Sequence, residues 1–328
     1  MRLAVPLEID AASLATWRQG VPVIELGGET MGTTWRIRLA PPPGFDRDAA
    51  SRAIEARLED ILAQMSHWRA DSVLGRFNRA GAGEWCALPA DFATVIETAL
   101  TVAEQSAGAF DPAIGALVDA WGHGPVTIDR PPTTEEIEQA RTASGFLRLA
   151  YEPDTRRLRQ PGGLRLDLSG IAKGYAVDAL AALLAGMDCH HALVEIGGEL
   201  VGRGLRPDGD PWWVDLETPT QDVAPLRVAL HQLAVATSGD YVRGFHSIDP
   251  RSGMPVEHAM AVSVIHSSAM LADAWATAFS VLSPAAVSAL GARECLCVRV
   301  VYRCGTALTE WISPALAAMI EAEDEVPA

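Results

Sequence analysis

Several signatures are missing from this sequence, and each absence narrows what the chain can be. No run approaches the roughly 18 apolar residues of a membrane span. The N-terminal stretch MRLAVPLEIDAASLATW has neither the long apolar region nor the small-residue cleavage site of a signal peptide. The expectation is a cytoplasmic protein as written, with a periplasmic one open if the N-terminus has been trimmed. Cys86, Cys189, Cys295, Cys297 and Cys304 are odd in number and lack CxxC spacing, which suits neither a disulfide framework nor a zinc knuckle. Walker loops, GxSxG and HExxH are absent too. Positive charge is scarce: 26 basic residues face 42 acidic ones, a net charge of −16. Such a field disfavours nucleic acid or anionic membrane as a main partner and leaves only a local basic pocket open.

What is present is the composition of an ordinary folded protein, 49% apolar and 21% charged over 328 residues. Val21–Leu26 and Thr33–Leu39 read as strands joined through GGETMG. Apolar residues from Ala50 to Met65 recur at helical spacing behind an N-cap at Asp46 or Asp48. Further helices are expected near 89–106, within RPPTTEEIEQA behind its prolines, at 170–187 and at 268–282. Strands are expected near 146–151, 164–168, 192–196, 212–217, 226–230, up to 237, at 259–266 and at 294–302. Cys295 and Cys297 should then face one side of a sheet as buried free thiols. GGETMG and GGELVG hint at repetition, although two similar glycine turns are the simpler reading. The order of elements predicts an α+β fold, mixed sheets with packed helices and a cleft between two parts. Residues 1–20 read as an N-terminal extension and 21–328 as one domain.

Four stretches carry chemistry. In LDLSGIAKGYAVDAL a strand-like segment runs into a helix expected to begin near Ser169 or Gly170. Lys173 in its first turn opposes the helix dipole, which hints at an anionic ligand beside free N–H groups. Asp167 could accept hydrogen bonds from the same ligand. A tight turn with a solvated lysine is the equally open alternative. In SSAMLADAWATAFSVL, Asp273 and Thr277 project from one helical face. A carboxylate and a hydroxyl suit Mg²⁺ meeting a phosphate, or the aspartate is simply paired with an arginine. ATSGDYVRGFHSIDPRSGMPV is a long loop whose His246 could serve as a general base or bond only to its own loop. Ala109–Asp111 and Trp68 could line a pocket for a flat aromatic ligand, or belong to core and rim.

Taken in order, ETMGTTW, MSHWRADSVLGRFN, FDPAIGALVDAWGHG, LDLSGIAKGYAVDAL, LVEIGGEL, TSGDYVRGFHSIDPRSGMPV and AMLADAWATAFSVL resemble the motifs of the ApbE family of flavin transferases. The resemblance runs from about Gly28 to Leu282. It implies an ApbE-like fold with an FAD cleft. It also implies a Mg²⁺-dependent enzyme that transfers the FMN part of FAD to a threonine or serine hydroxyl of an acceptor flavoprotein, with loss of AMP. The alternatives are hydrolysis of FAD to FMN and AMP, as in some members of the family, or, in another class, flavin binding and delivery without catalysis. By the same resemblance Asp273 and Thr277 match side-chain Mg²⁺ ligands, and Gly170 matches a further ligand position through its carbonyl. Met31, Trp68, Ala109, Phe110, Asp111, Asp167, Lys173 and Ile248 match FAD-contacting positions. His246 matches the histidine that assists proton transfer. Trp68 stands where tyrosine is frequent, and an indole can stack on a flavin as well.

Overall fold

The structure is a computed structural model and describes residues 1–218, 220, 222–239, 247–305 and 307–320. Its centre is an eight-stranded antiparallel sheet. Ile24–Thr30 forms one edge, followed by Thr33–Leu39, Ala192–Ile196, Glu199–Arg203, Leu233–Gly239, Ala259–His266, Cys297–Cys304 and Ala307–Ile312. Successive side chains point to opposite faces, so the sequence sorts itself into two cores. Ile37, Leu39, Val194, Ile196, Ala236, Val264 and Val300 face the larger one, while Leu193, Val235 and Ile265 face the smaller. Full burial of residues such as Ile37 and Leu39 stabilises by about 1.5–3 kcal/mol each.

Helices cover the first face. Arg47–Met65, Ala90–Gln105 and Ala172–Ala185 are tied together by one polar cluster, in which Arg57 donates to both oxygens of Asp91 and Tyr175 Oη donates to Asp91 Oδ1. The helix Ala269–Ser280 lies across Leu233–Gly239 and Ala259–His266, and is buried almost all round. A small sheet covers the second face: Arg2–Ala4 runs parallel to Leu226–Leu230, which pairs antiparallel with Trp212–Asp215. Residues 1–20 thus supply a strand with a fully buried Ala4, and Trp17 Nε1 donates to the Arg206 carbonyl at 2.8 Å. No helix among the described residues is long and apolar enough to cross a membrane.

The α+β expectation holds, with local corrections. The first hairpin turns at Met31–Gly32, where both residues have positive φ, and GGET belongs to the preceding strand. In GGELVG the two glycines are themselves the turn, between Ile196 and Glu199. The two hexapeptides therefore occupy different places, and the hint of repetition ends there. The segment 164–168 joins no ladder among the described residues; the Asn78 side-chain amide takes the place of a neighbouring strand, donating to the Leu166 carbonyl at 3.0 Å and accepting from its N–H at 2.8 Å. Cys295 is no strand residue. It is exposed, with φ of 52°, and closes the helix Pro284–Arg293 as Leu296 N–H bonds back to the Gly291 carbonyl and Cys295 N–H to that of Ala292. That is a Schellman closure with cysteine where glycine is usual, which is why the pattern misled.

Candidate functional site

The site is assembled where the start of Ala172–Ala185 meets the middle of Ala269–Ser280. Small residues allow the approach: a Cβ on Gly174 would lie 2.2 Å from the Ala269 carbonyl oxygen, and one on Gly170 would lie 2.7 Å from Thr277 Oγ1. Asp178 fixes the second helix from outside, accepting from the N–H groups of Ala269 and Met270 and from Ser268 Oγ. Asp273, only 4% exposed, accepts from Gly174 N–H at 3.0 Å through Oδ2. Gly174 is third in its helix, so its N–H lacks an intrahelical partner, and Asp273 caps it across the helix interface. Burial pushes the Asp273 carboxyl up, while the Lys173 ammonium and the Gly174 N–H pull it back.

The N–H groups expected to await a ligand are partly consumed. The helix begins at Ala172, and both Ile171 and Ala172 donate to the Leu168 carbonyl. What this junction offers is the Gly170 carbonyl, 3.5 Å from Thr277 Oγ1, together with the Asp273 carboxylate one turn earlier and the Lys173 ammonium. Apart from the ammonium, every group in the set presents a hard oxygen. Among the described residues no group of three or more His, Cys, Asp or Glu side chains could hold a metal. One carboxylate, a hydroxyl and a carbonyl fit a Mg²⁺ ion that keeps waters and meets a ligand's phosphates.

Lys173 does not stand in solvent. Its ammonium pairs with Glu199, the first residue after the Gly197–Gly198 turn, and Glu199 is 3% exposed. Sequence reasoning missed Glu199. Its signal was an acid directly after two glycines and ahead of the apolar pair Leu200 and Val201. Met31 lies close by, since the Gly197 N–H donates to the Thr34 carbonyl just beyond the Met31–Gly32 turn.

A second group adjoins the first through the chain. Asp167 is buried, accepts from Ser169 N–H and Oγ through Oδ1, and has His67 Nε2 at 4.0 Å from Oδ2. The His67 ring lies 5.2 Å from that of Trp68, which is 64% exposed. Asp167 N–H donates to the Pro112 carbonyl, bringing Ala109–Asp111 alongside. Asp111 accepts from Ala113 and Phe146 N–H groups, yet burial raises its carboxyl to about 6. Ile248 is buried in a short ladder with Pro255, and Trp121 Nε1 ties the adjoining Gly253 to this side of the protein at 2.8 Å. His246 lies outside the described residues. A separate cavity of about 350 Å³, lined by Trp17, Arg18 and His191 among others, sits at the far end of Ala192–Ile196 and shares no residue with these groups.

Known proteins are similar to this chain in sequence and in fold. An FAD:protein FMN transferase of Vibrio cholerae is 37% identical over 272 residues, covering 79% of this chain and 81% of the relative. The solved flavin transferase ApbE from Vibrio cholerae superposes with a TM-score of 0.85 at 34% identity, over 90% of this chain and 99% of that one. The apo flavinyl transferase ApbE of Pseudomonas stutzeri gives 0.86 at 34% identity, over 92% and 97%. Fold and relatives together make the protein a transferase. The ApbE family model matches residues 31–298, and the chain belongs to the ApbE family.

Proposed function

We propose that the protein moves the FMN portion of FAD onto a threonine or serine hydroxyl of an acceptor flavoprotein, using Mg²⁺ and releasing AMP. The observation that carries this reading is the buried Asp273 carboxylate set beside the Gly170 carbonyl and Thr277 hydroxyl, with the Lys173–Glu199 pair next to it. A diphosphate is the ligand such a mixture of hard oxygens and one ammonium suits. The names of the relatives support FAD as its source.

In this reading Asp273, Thr277 and the Gly170 carbonyl hold the cation. Bound there, Mg²⁺ supplies Lewis-acid polarisation of the diphosphate and neutralises charge on the departing phosphate. Lys173 neutralises a further phosphate oxygen. Trp68, Met31, Ala109–Asp111, Asp167 and Ile248 orient the flavin end. The acceptor oxygen forms a bond to the FMN phosphorus as the bond from that phosphorus to the bridging oxygen breaks. His246 takes the hydroxyl proton, and AMP carries away the bridging oxygen. Phosphoryl transfer of this kind depends on positioning and charge neutralisation more than on covalent help from the protein. The test is incubation with FAD, Mg²⁺ and a candidate acceptor: the acceptor's mass should rise by one FMN residue. Free FMN and AMP with no modified acceptor would overturn transfer in favour of hydrolysis.

A further inference from the structure

Lys173 is the single lysine in the sequence, every other basic residue being arginine. Its partner Glu199 uses only one carboxylate oxygen on it; the second, Oε2, is buried and has no hydrogen-bond partner among the described residues. An unsatisfied carboxylate oxygen inside a protein is costly and calls for an explanation. Asp273 is near enough to act on Glu199 electrostatically, as is Lys173. Asp273 and Glu217 thus draw on the same single ammonium as Glu199, and positive charge is scarce among the described residues here. A divalent cation would reverse that balance.

We propose that Glu199 is a positioning residue of this site: one oxygen holds the lone lysine in place, and Oε2 accepts a hydrogen bond from water bound to the divalent cation. The inference rests on the cation site proposed above. Water in the shell of a hard cation points its protons outward, so the site needs an acceptor just outside the ligand set, and Mg²⁺ retains several such waters. Glutamate at 199 supplies that acceptor while its other oxygen stays on Lys173. Glutamine would keep an oxygen for the lysine but turn an N–H₂ donor toward water protons.

The test is Mn²⁺ binding to the FAD-loaded full chain without acceptor, followed by water proton relaxation. Glu199→Gln should weaken Mn²⁺ binding about 10–100-fold, the usual effect of losing a group that supports a metal's ligands. The double variant Glu199→Gln with Lys173→Met removes both charges of the pair and guards against misfolding of the single one. Its Mn²⁺ affinity should stay low, whereas recovery would assign Glu199 a charge-pairing role only and overturn the acceptor role. Wild-type affinity in Glu199→Gln, with binding lost in Asp273→Ala, would overturn the inference and leave the cation site standing. Wild-type affinity in Asp273→Ala, or no binding by the wild-type protein, would overturn both.

Discussion

The Gly174 N–H donates to Asp273 Oδ2 at 3.0 Å, so an open helix start and a buried carboxylate each satisfy what the other lacks. The same contact sets the spacing of the two helices, because a Cβ on Gly174 would meet Asp273 Cβ at 2.8 Å. Asp273 thereby has a structural task and, in the proposed mechanism, a chemical one.

Asp273→Ala should cut Mg²⁺-dependent transfer by about 10³-fold, the rate equivalent of the several kcal/mol a Lewis-acid cation supplies. The far-UV circular dichroism should remain that of the wild type. Full wild-type activity in excess EDTA would count against any role for a cation.

The two glycines should separate packing from chemistry. In Gly174→Ala the new methyl meets the Ala269 backbone carbonyl, which cannot swing away, and overpacking should cost about 1–3 kcal/mol or more in thermal stability. In Gly170→Ala it meets only the Thr277 side chain, Oγ1 at 2.7 Å, Cγ2 at 3.0 Å and Cβ at 3.2 Å, and no backbone atom as close. That variant should lose less melting temperature than Gly174→Ala and lose about 10-fold or more in cation affinity. Equal destabilisation of the two would refute the distinction.

Trp68 contributes little to folding at its exposed position, so Trp68→Ala should change stability by no more than about 0.5 kcal/mol. If the indole stacks on the flavin, FAD binding should weaken by about 1–3 kcal/mol. Titration calorimetry with FAD measures this directly, and unchanged affinity would remove Trp68 from the site.

Asp111 should leave a signature in the pH dependence of stability. Its carboxyl is raised from the usual 3.8 to about 6 by burial, so the folded protein holds this proton more tightly than the unfolded chain. Its contribution to stability is then greatest below the unfolded value and falls as pH rises through about 6. The full difference approaches about 3 kcal/mol. Relative to Asp111→Asn, the wild type should lose melting temperature between about pH 4 and pH 7 and then run parallel. Parallel curves throughout would mean that Asp111 titrates normally.

His246→Ala should slow transfer about 10²–10⁴-fold, the range typical of a general base, while weakening FAD binding far less. Single-turnover rates and FAD affinity measured on the same variant decide the matter. Weaker binding with an unchanged rate would make His246 a binding residue.

Sequence alone determined whatever depends on neighbours along the chain. Asp273 and Thr277 share a helical face because they are four apart, and alternation alone separated the two faces of most strands. The α+β class followed from the order of those elements. The tertiary structure decided what depends on residues brought from afar. Glu199 reaches Lys173 only because a hairpin returns beside the helix, 26 residues later. Asn78 replaces a strand partner from 88 residues away. Local pattern also failed at the helix starting at Ala172, whose first N–H groups are taken by Leu168 and by Asp273. Periodicity reports which way a side chain points, but the partner of a buried charge or an open N–H group is chosen by the packing of distant segments, where desolvation makes an unmade bond costly.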